Sequence, residues 1–301
     1  MSVLVVGSVA YDSVITPHAQ ADEVLGGSAT FFATAASHFS PVQLVAVVGD
    51  DFRHDEIDFL RSRNVSLDGL QTVAGKTFRW KGRYLDNMND RETIYTHLNV
   101  FETFSPQLPE SYRQSPFVFL ANIGPELQYN VMQQVKKPVF VAMDTMNFWI
   151  SGALDSLRKI LGLVDGLIIN DAEVKELSGE SNIFLGAKKI QAMGPSTLVI
   201  KKGEHGALLV YGNSYFYCPA YPVTDLFDPT GAGDTFAGGF MGYLAKTGQV
   251  TENALRRAVV YGSALASFCV EGFGISVTKT LTQAGIEKRV QAIISMVRIP
   301  E

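Results

Sequence analysis

The chain has 301 residues, of which 47% are hydrophobic and 18% are charged, with a formal net charge of −5. This composition is typical of a globular enzyme, and the negative charge excludes a general electrostatic attraction to nucleic acid or to a membrane surface. The two cysteines, Cys218 and Cys269, have no metal-ligand spacing, and a core of this size needs no disulfide or metal. We expect free thiols in a reducing cytoplasm, with neither nucleic acid nor membrane as a partner.

Short β-branched runs alternate with segments of helical periodicity along the chain, which predicts a mostly parallel central sheet with helices on both faces. The predicted strands are Val3–Val6, Val42–Val48, Phe117–Ala121, Val139–Met143, Gly166–Ile169, Thr197–Lys201 and Ala207–Tyr211. The predicted helices are Ala29–His38, Asp55–Arg63, Pro125–Val135, Ala172–Ser178, Ile183–Met193, Thr235–Lys246 and Glu252–Cys269. The apolar N-terminus has no basic flank and is far shorter than the roughly 20 residues of a membrane span, so it is interpreted as the first buried strand.

The stretch 77–99 has a different pattern, with polar and aromatic residues alternating around a turn at Asn87–Asp90. This pattern predicts antiparallel strands that stand off the main sheet. They would form either a lid over a cleft or an ordinary edge hairpin. Free strand edges can pair with a second copy of the chain, so a homodimer through the lid is a hypothesis.

A glycine-rich segment, Asp228-Pro-Thr-Gly-Ala-Gly-Asp234, precedes a predicted helix. Gly231, Ala232 and Gly233 let backbone N–H groups approach a ligand closely, and the N–H groups at a helix start are unpaired at the positive end of the helix dipole. Such a site binds an anion, which predicts that it holds a phosphoryl group. Asp234 beside it can accept the proton of an attacking hydroxyl. On the local pattern alone, a capped turn is an equal alternative.

The whole segment resembles the ATP motif of the PfkB, or ribokinase-like, carbohydrate kinases. Further motifs match this family in the same order along nearly the whole chain. They are Gly7-Ser-Val-Ala-Tyr-Asp12, Gly26-Gly27, Gly49-Asp50-Asp51-Phe52, Asn170-Asp-Ala-Glu173 and Lys202-Gly203-Glu204-His-Gly206. The resemblance implies one ribokinase-like α/β domain over residues 1–301, with lid strands inserted from about 10–25 and 75–100. It also implies a cytoplasmic kinase that uses ATP and Mg²⁺ to phosphorylate a hydroxyl of a sugar or sugar-like molecule.

The resemblance also implies a role for each matching residue. Asp234 would be the catalytic base, and Gly231, Ala232 and Gly233 would form the anion hole. The substrate residues would be Asp12, Gly26, Gly27, Ser28 and Phe31. The nucleotide residues would be Asn170, Glu173, Lys202, Gly203, Gly206, Thr230 and Ser263. Glu173 would act on Mg²⁺ through phosphate or water, and Asp228 would be a site for a monovalent cation such as K⁺.

Two departures from the family pattern affect the phosphoryl acceptor. Phe31 stands near the position where sugar kinases of this family carry an Asn, and a phenyl ring cannot replace its hydrogen bonds. The stretch Asp144–Trp149 lacks the family's Arg. These differences favour a nucleoside, a cyclitol such as inositol, or a modified sugar over free ribose or fructose, while basic lid residues leave a phosphosugar open.

Two alternatives belong to other functional classes. A ligand sensor that keeps the fold without catalysis is disfavoured by the intact Asp234 and glycine segment. A dinucleotide-binding oxidoreductase is excluded because Gly7 stands alone after the first strand, where a Gly-x-Gly-x-x-Gly motif would be required.

Overall fold

A computed structural model describes residues 1–299. Its main sheet has nine strands in the spatial order β13-β12-β11-β10-β9-β8-β1-β4-β5. These strands are β1 (Val3–Val6), β4 (Val42–Gly49), β5 (Val65–Val73), β8 (Phe117–Leu120), β9 (Phe140–Asp144), β10 (Gly166–Asn170), β11 (Thr197–Lys201), β12 (Ala207–Tyr211) and β13 (Ser214–Cys218). All neighbours pair in parallel except β12, which is antiparallel to both β11 and β13. The predicted mostly parallel sheet is confirmed.

Ten α-helices are described by the structure over residues 1–299. They are α1 (Ser28–Ala36), α2 (His54–Ser62), α3 (Pro125–Met132), α4 (Asn147–Gly152), α5 (Leu154–Leu161), α6 (Asp171–Ser178), α7 (Ile183–Gln191), α8 (Ala232–Thr247), α9 (Glu252–Cys269) and α10 (Gln283–Met296). No helix in this part of the chain is long and apolar enough to cross a membrane.

The side chains of β1 show why helices cover both faces of the sheet. Val3 and Val5 pack into one hydrophobic core together with residues of α1, α8, α9 and α10. Leu4 and Val6 point to the opposite face and pack with residues of α3, α5, α6 and α7. Successive side chains of a strand alternate between faces, so a strand buried on both sides needs the continuous apolar run seen here.

A second sheet of four strands forms the lid, in the order β3-β2-β6-β7. These strands are β2 (Ala10–Ile15), β3 (Gln20–Gly26), β6 (Phe78–Tyr84) and β7 (Arg91–His97). They come from the two predicted segments, and the predicted turn at Asn87–Asp90 joins β6 to β7. The central pair, β2 and β6, is parallel, while the two outer pairs are antiparallel. The prediction of antiparallel strands for the stretch 77–99 is therefore confirmed, since β6 and β7 both come from it.

All seven predicted strands and all seven predicted helices are present, with differences at their ends. The largest difference at the site concerns α8, which begins at Ala232 and not at the predicted Thr235. Asp234 therefore lies inside the first helical turn, where the helix dipole favours its ionised form.

Candidate active site

The glycine segment forms the N-terminus of α8. Gly231 caps the helix with φ of 75°, a left-handed conformation that glycine adopts without side-chain strain. The N–H of Ala232 donates to the carbonyl of Pro229 at 3.2 Å, whereas the N–H groups of Gly233 and Asp234 have no backbone acceptor among residues 1–299. Free N–H groups at a helix start attract anions, so these two amides are the groups that can bind a phosphoryl oxygen.

Asp234 is half-buried beside these amides. Burial raises the pKa of Asp234 to about 6, and the cations of Lys201 and Arg91, together with its own backbone N–H, oppose the rise. A carboxylate with this pKa is ionised at neutral pH and is a stronger proton acceptor than an exposed aspartate. Both properties suit a general base.

Asp12 lies in lid strand β2 and is 6% exposed. Its Oδ2 accepts a hydrogen bond from the N–H of Gly27 at 3.3 Å. A Cβ on Gly26 would collide with the Asp12 carboxylate, so this approach requires a glycine at position 26. Ser28 begins α1 and exchanges hydrogen bonds with Ser8: the N–H of Ser28 donates to Ser8 Oγ at 3.0 Å, and the N–H of Ser8 donates to Ser28 Oγ at 3.1 Å. The structure therefore brings the predicted substrate residues 12 and 26–28 together.

The electrostatic setting of Asp12 is unusual for an aspartate. Burial raises the pKa of Asp12 to about 7, against the N–H of Gly27, and the nearby carboxylates of Asp228 and Asp234 raise it further while Arg91 lowers it. Asp12 and Asp234 therefore share one low-dielectric site. A ligand that donates hydroxyl hydrogen bonds to Asp12 would stabilise its ionised form.

Phe31 packs against the glycine segment. Its ring is 2% exposed, and a Cβ added to Gly231 would collide with it. The contact seen in the structure is thus between α1 and the start of α8, and a contact of Phe31 with substrate stays a prediction. The neighbouring Thr30 is fully buried, and its hydroxyl has no hydrogen-bond partner among the described residues.

Asp144, Glu173 and Lys201 come together at the carboxyl ends of β9, β10 and β11. Burial raises the pKa of Asp144 well above its usual range, and Asp234 and Glu173 raise it further against the opposing charge of Lys201. Burial also raises the pKa of Glu173, again opposed by Lys201. One lysine thus faces a group of buried carboxylates beside the α8 N-terminus.

The predicted nucleotide residues occupy two places. Asn170 and Glu173 form a capping box at the start of α6: Asn170 Oδ1 accepts from the N–H of Glu173 at 2.8 Å, and the Glu173 carboxylate accepts from the N–H of Asn170 at 2.9 Å. Gly203 and Gly206, with φ of 55° and 92°, bound the turn between β11 and β12. Asn170 and Glu173 therefore cap a helix, and this capping box fixes Glu173 at the site.

The remaining nucleotide residues lie around this turn and along α9. Lys202 donates its N–H to the carbonyl of Gly206 at 2.8 Å, and its ammonium lies 5.8 Å from the ring centre of Tyr217. Ser263 on α9 is 7% exposed and its hydroxyl lies 3.5 Å from Sγ of Cys218. Ser263 therefore contacts the end of β13.

The lid makes two hydrogen bonds across the cleft. Thr230 Oγ1 lies 3.2 Å from the hydroxyl of Tyr84, which is 5% exposed at the end of β6. The amide of Asn89, in the lid turn, donates to Glu204 at 3.4 Å. Tyr84 thus connects the lid directly to the glycine segment.

Asp228 is completely buried. Its Oδ1 accepts from the N–H of Thr230 at 2.8 Å, and its Oδ2 has no hydrogen-bond partner among residues 1–299. An unpartnered carboxylate oxygen is costly in the interior, and a cation would satisfy it.

Three residues at the site were given no role from the sequence: Asp144, Lys201 and Tyr84. Asp144 ends β9, which is parallel to both of its neighbours, and Lys201 ends β11, which is parallel to β10. Ligands of open α/β sheets bind at the carboxyl ends of such strands, so this position was the available signal. Tyr84 had no comparable signal, since its contact depends on how the lid folds over the body.

A family model described as "pfkB family carbohydrate kinase" matches residues 2–281. The chain belongs to this family. It is therefore an ATP-dependent kinase that phosphorylates an alcohol group, and the resemblance predicted from the motifs is confirmed.

Curated relatives with several acceptors are similar to this kinase. A cytidine kinase of Thermococcus kodakarensis is 29% identical over 262 residues, covering 85% of this chain and 92% of that protein. An inositol 3-kinase of Arabidopsis thaliana is 24% identical over 280 residues, covering 90% and 74%. Among solved structures, a putative ribokinase II from E. coli in complex with ATP and Mg²⁺ has a TM-score of 0.78 at 20% identity, covering 97% of this chain and 99% of that one. The ribokinase-like fold is thereby confirmed.

Proposed function

We propose that this kinase transfers the γ-phosphoryl group of ATP to a ribose hydroxyl of a nucleoside. The proposed reaction rests mainly on the position of Asp234, a base with a pKa of about 6 that lies beside the free amides of the α8 N-terminus. The acceptor rests on the similarity to a cytidine kinase, which extends over 92% of that protein.

In the proposed reaction the acceptor hydroxyl loses its proton to Asp234 as its oxygen bonds to the γ-phosphorus. The bond from this phosphorus to the oxygen bridging the β- and γ-phosphates breaks, and ADP leaves with the electron pair. The N–H groups of Gly233 and Asp234 stabilise the charge on the phosphoryl oxygens. Asp12, held in place by the N–H of Gly27, orients the acceptor through its other hydroxyls, which keeps the reacting hydroxyl beside the base.

Magnesium would enter with the nucleotide. Among residues 1–299, no group of three or more His, Cys, Asp or Glu side chains could hold a metal ion by itself. Mg²⁺ does not need such a group, because it usually keeps several waters and binds one or two carboxylates together with substrate phosphates. Glu173, held at the site by its capping box, would contact the hydrated ion, which neutralises phosphate charge when bound.

A monovalent cation such as K⁺ is the proposed partner of Asp228, whose buried Oδ2 lacks a hydrogen bond. The nucleotide itself would lie along Asn170, the Gly203–Gly206 turn and Ser263, which border the carboxyl ends of β10 and β11. These assignments follow the family motifs and are supported by the positions of the residues in the sheet.

A cyclitol is the second candidate acceptor, because the inositol 3-kinase relative covers 90% of this chain. Asp12 would serve either acceptor, since vicinal hydroxyls occur in both ribose and inositol. Phe31 argues against a free sugar, because its buried ring leaves no polar group at that position to bind an additional hydroxyl.

The test is an ADP-release assay of the purified chain with ATP, Mg²⁺ and one acceptor at a time: cytidine, uridine, inosine, myo-inositol, ribose, fructose or none. We expect the highest kcat/KM with a nucleoside and loss of that activity in Asp234→Asn. Highest kcat/KM with myo-inositol would select the cyclitol. Tight binding of a panel member without ADP release would refute the proposed reaction and favour a ligand sensor.

The proposed homodimer would use the outer strands of the lid. The edge strand β7 carries Ile94, which is 47% exposed, and Leu98 follows it at 40% exposed. Pairing of such an edge with a second copy would bury both side chains and satisfy free strand amides. Light scattering that gives the mass of one chain at assay concentration would remove this hypothesis.

A further inference from the structure

Lys201 ends β11 with its ammonium directly over the glycine segment. A Cβ placed on Gly233 would lie 2.6 Å from Nζ of Lys201, so the ammonium fills the space that this glycine leaves open. Gly233 also carries one of the two free amides at the α8 N-terminus. The lysine cation and the amide therefore border the same small volume.

This ammonium has no partner of its own. Among residues 1–299, no carboxylate oxygen lies within 4.0 Å of Nζ of Lys201 and no hydrogen bond engages it. Two other half-buried cations among the described residues are paired, Arg79 with Asp51 at 2.8 Å and Arg289 with Glu271 at 3.0 Å. A cation held only to stabilise the fold would be expected to make such a pair.

The carboxylates around Lys201 are also held apart from it. Its charge opposes the raised pKa of Asp234, Asp144 and Glu173, so it lies near all three without an ion pair to any. A charge placed centrally among these groups leaves its hydrogen-bond donors free for a ligand. An anion entering at the Gly233 amide would meet those donors.

We propose that the Lys201 ammonium binds the phosphoryl group in transit and is a catalytic residue of this kinase. The inference rests on the phosphoryl transfer proposed above. As the acceptor oxygen bonds to phosphorus and the bond to ADP breaks, negative charge spreads over the three equatorial oxygens. Lys201 donates hydrogen bonds to these oxygens and keeps its proton throughout, while the acceptor proton goes to Asp234.

The test compares Lys201→Met, which keeps a long side chain without its charge, with Lys188→Met on the exposed face of α7 as the matched control. ADP release is measured at saturating ATP with the best acceptor of the wild type. A pH of 8.5 is used, well above the pKa of Asp234, so that loss of the lysine charge cannot act by protonating the base. We expect kcat to fall about 10²–10³-fold in Lys201→Met, the usual effect of removing one donor to a transition-state oxyanion. The control should match the wild type.

A second variant guards against a folding defect at position 201. Gly233→Ala has an ordinary helical conformation, and its methyl group must displace the Lys201 ammonium. We expect it to lower kcat in the same direction while keeping the thermal unfolding midpoint of the wild type. Full activity in both variants would overturn the proposal.

A binding measurement separates a transition-state role from ordinary nucleotide binding. Calorimetry is run with ADP and Mg²⁺, with and without aluminium fluoride as a mimic of the transferring group, in the presence of the acceptor. Lys201→Met should lose the affinity gained from aluminium fluoride and keep its affinity for ADP. Equal losses for both ligands would overturn the proposal. A wild type that releases no ADP with any acceptor would instead refute the proposed function.

Discussion

The buried carboxylate of Asp12 should lower the free energy of unfolding of the free enzyme when it is ionised. Its folded-state pKa of about 7 lies above the ordinary value of 3.8, because the carboxylate is buried beside other acids. A group with a raised folded pKa contributes stability that is full below the unfolded pKa and is lost as the pH rises through the folded pKa. At pH 8 the ionised Asp12 therefore destabilises the free enzyme, with an upper limit of about 4 kcal/mol for a shift of this size.

Asp12→Asn removes this charge at nearly constant volume. The amide oxygen can still accept from the N–H of Gly27, but its NH₂ group replaces an acceptor and costs about 1–2 kcal/mol if it stays unpaired. We expect Asp12→Asn to be more stable than the wild type by about 2–3 kcal/mol at pH 8, which is about 4–8 °C in unfolding midpoint. At pH 5, which is still above the unfolded pKa, the penalty on the wild type falls to about 1.6 kcal/mol. The cost of the amide offsets this remainder, so the gain should largely disappear.

The assay is urea unfolding of ligand-free protein at pH 5 and pH 8, with Asp58→Asn on the exposed face of α2 as the control. The control should stay within about 0.5 kcal/mol of the wild type at both values. A variant that gains nothing at pH 8, or gains equally at pH 5, would refute the reasoning. Phosphoryl transfer should fall in the same variant, because a carboxylate that binds hydroxyls is lost while the fold gains stability.

Three further outcomes follow from the site geometry. Gly231→Ala should destabilise the protein by about 2–5 kcal/mol in urea unfolding, because alanine is strained at φ of 75° and its methyl group collides with Phe31. Unchanged stability would mean that this cap can rearrange. Tyr84→Phe removes the hydrogen bond to Thr230, which is worth about 1 kcal/mol. It should raise the acceptor KM with little change in the unfolding midpoint. An unchanged KM would mean that this contact between the lid and the glycine segment does not contribute to acceptor binding. kcat at saturating acceptor, whose hydroxyls keep Asp12 ionised, should fall about tenfold per pH unit below about pH 6 as Asp234 takes up its proton, and a flat profile from pH 4 to pH 8 would exclude Asp234 as the base.

The strands that the sequence predicts best are those buried on both faces. Val3–Val6, Thr197–Lys201 and Ala207–Tyr211 agree at both ends with the structure, because short apolar runs bounded by polar residues or glycine leave little choice. The strand Val65–Val73 was missed because it is only half-buried and contains an Asp and a Gly. A continuous apolar run identifies a strand that is buried on both faces, so it cannot identify a half-buried strand at the edge of the sheet.

The helices show the same dependence on local signals. Glu252–Cys269 agrees at both ends, and Thr251 caps it by accepting from the N–H of Ala254. The helix Gln283–Met296 was missed although its buried Ile286, Val290 and Ile293 follow helical spacing. This element was available from the sequence, whereas Leu154–Leu161 follows directly on another short helix and has no clear boundary.

The glycine segment could be predicted because all its parts are contiguous in the chain. The anion site needs adjacent amides, a left-handed cap at Gly231 and an acid in the next turn. All of these are residues of one short motif, so the motif alone predicts the geometry of the site. Lys201 and Asp144 reach the same site from separate strands, and only the order of β9, β10 and β11 in the sheet brings them there. Residues of this second kind are found by strand position, not by motif.

Phe31 links the two ends of the site and bears on the choice of acceptor. Its ring fills the space beneath Gly231, so the position that would offer an amide to a sugar instead supports the phosphate-binding turn. Acceptor recognition on that side is left to the two carboxylate oxygens of Asp12, which suit one pair of neighbouring hydroxyls. A free pentose or hexose presents more hydroxyls than these groups can satisfy, and each unpaired one would cost binding energy. A nucleoside presents one such pair on its ribose, with a base to make the remaining contacts, which is why it is the favoured acceptor.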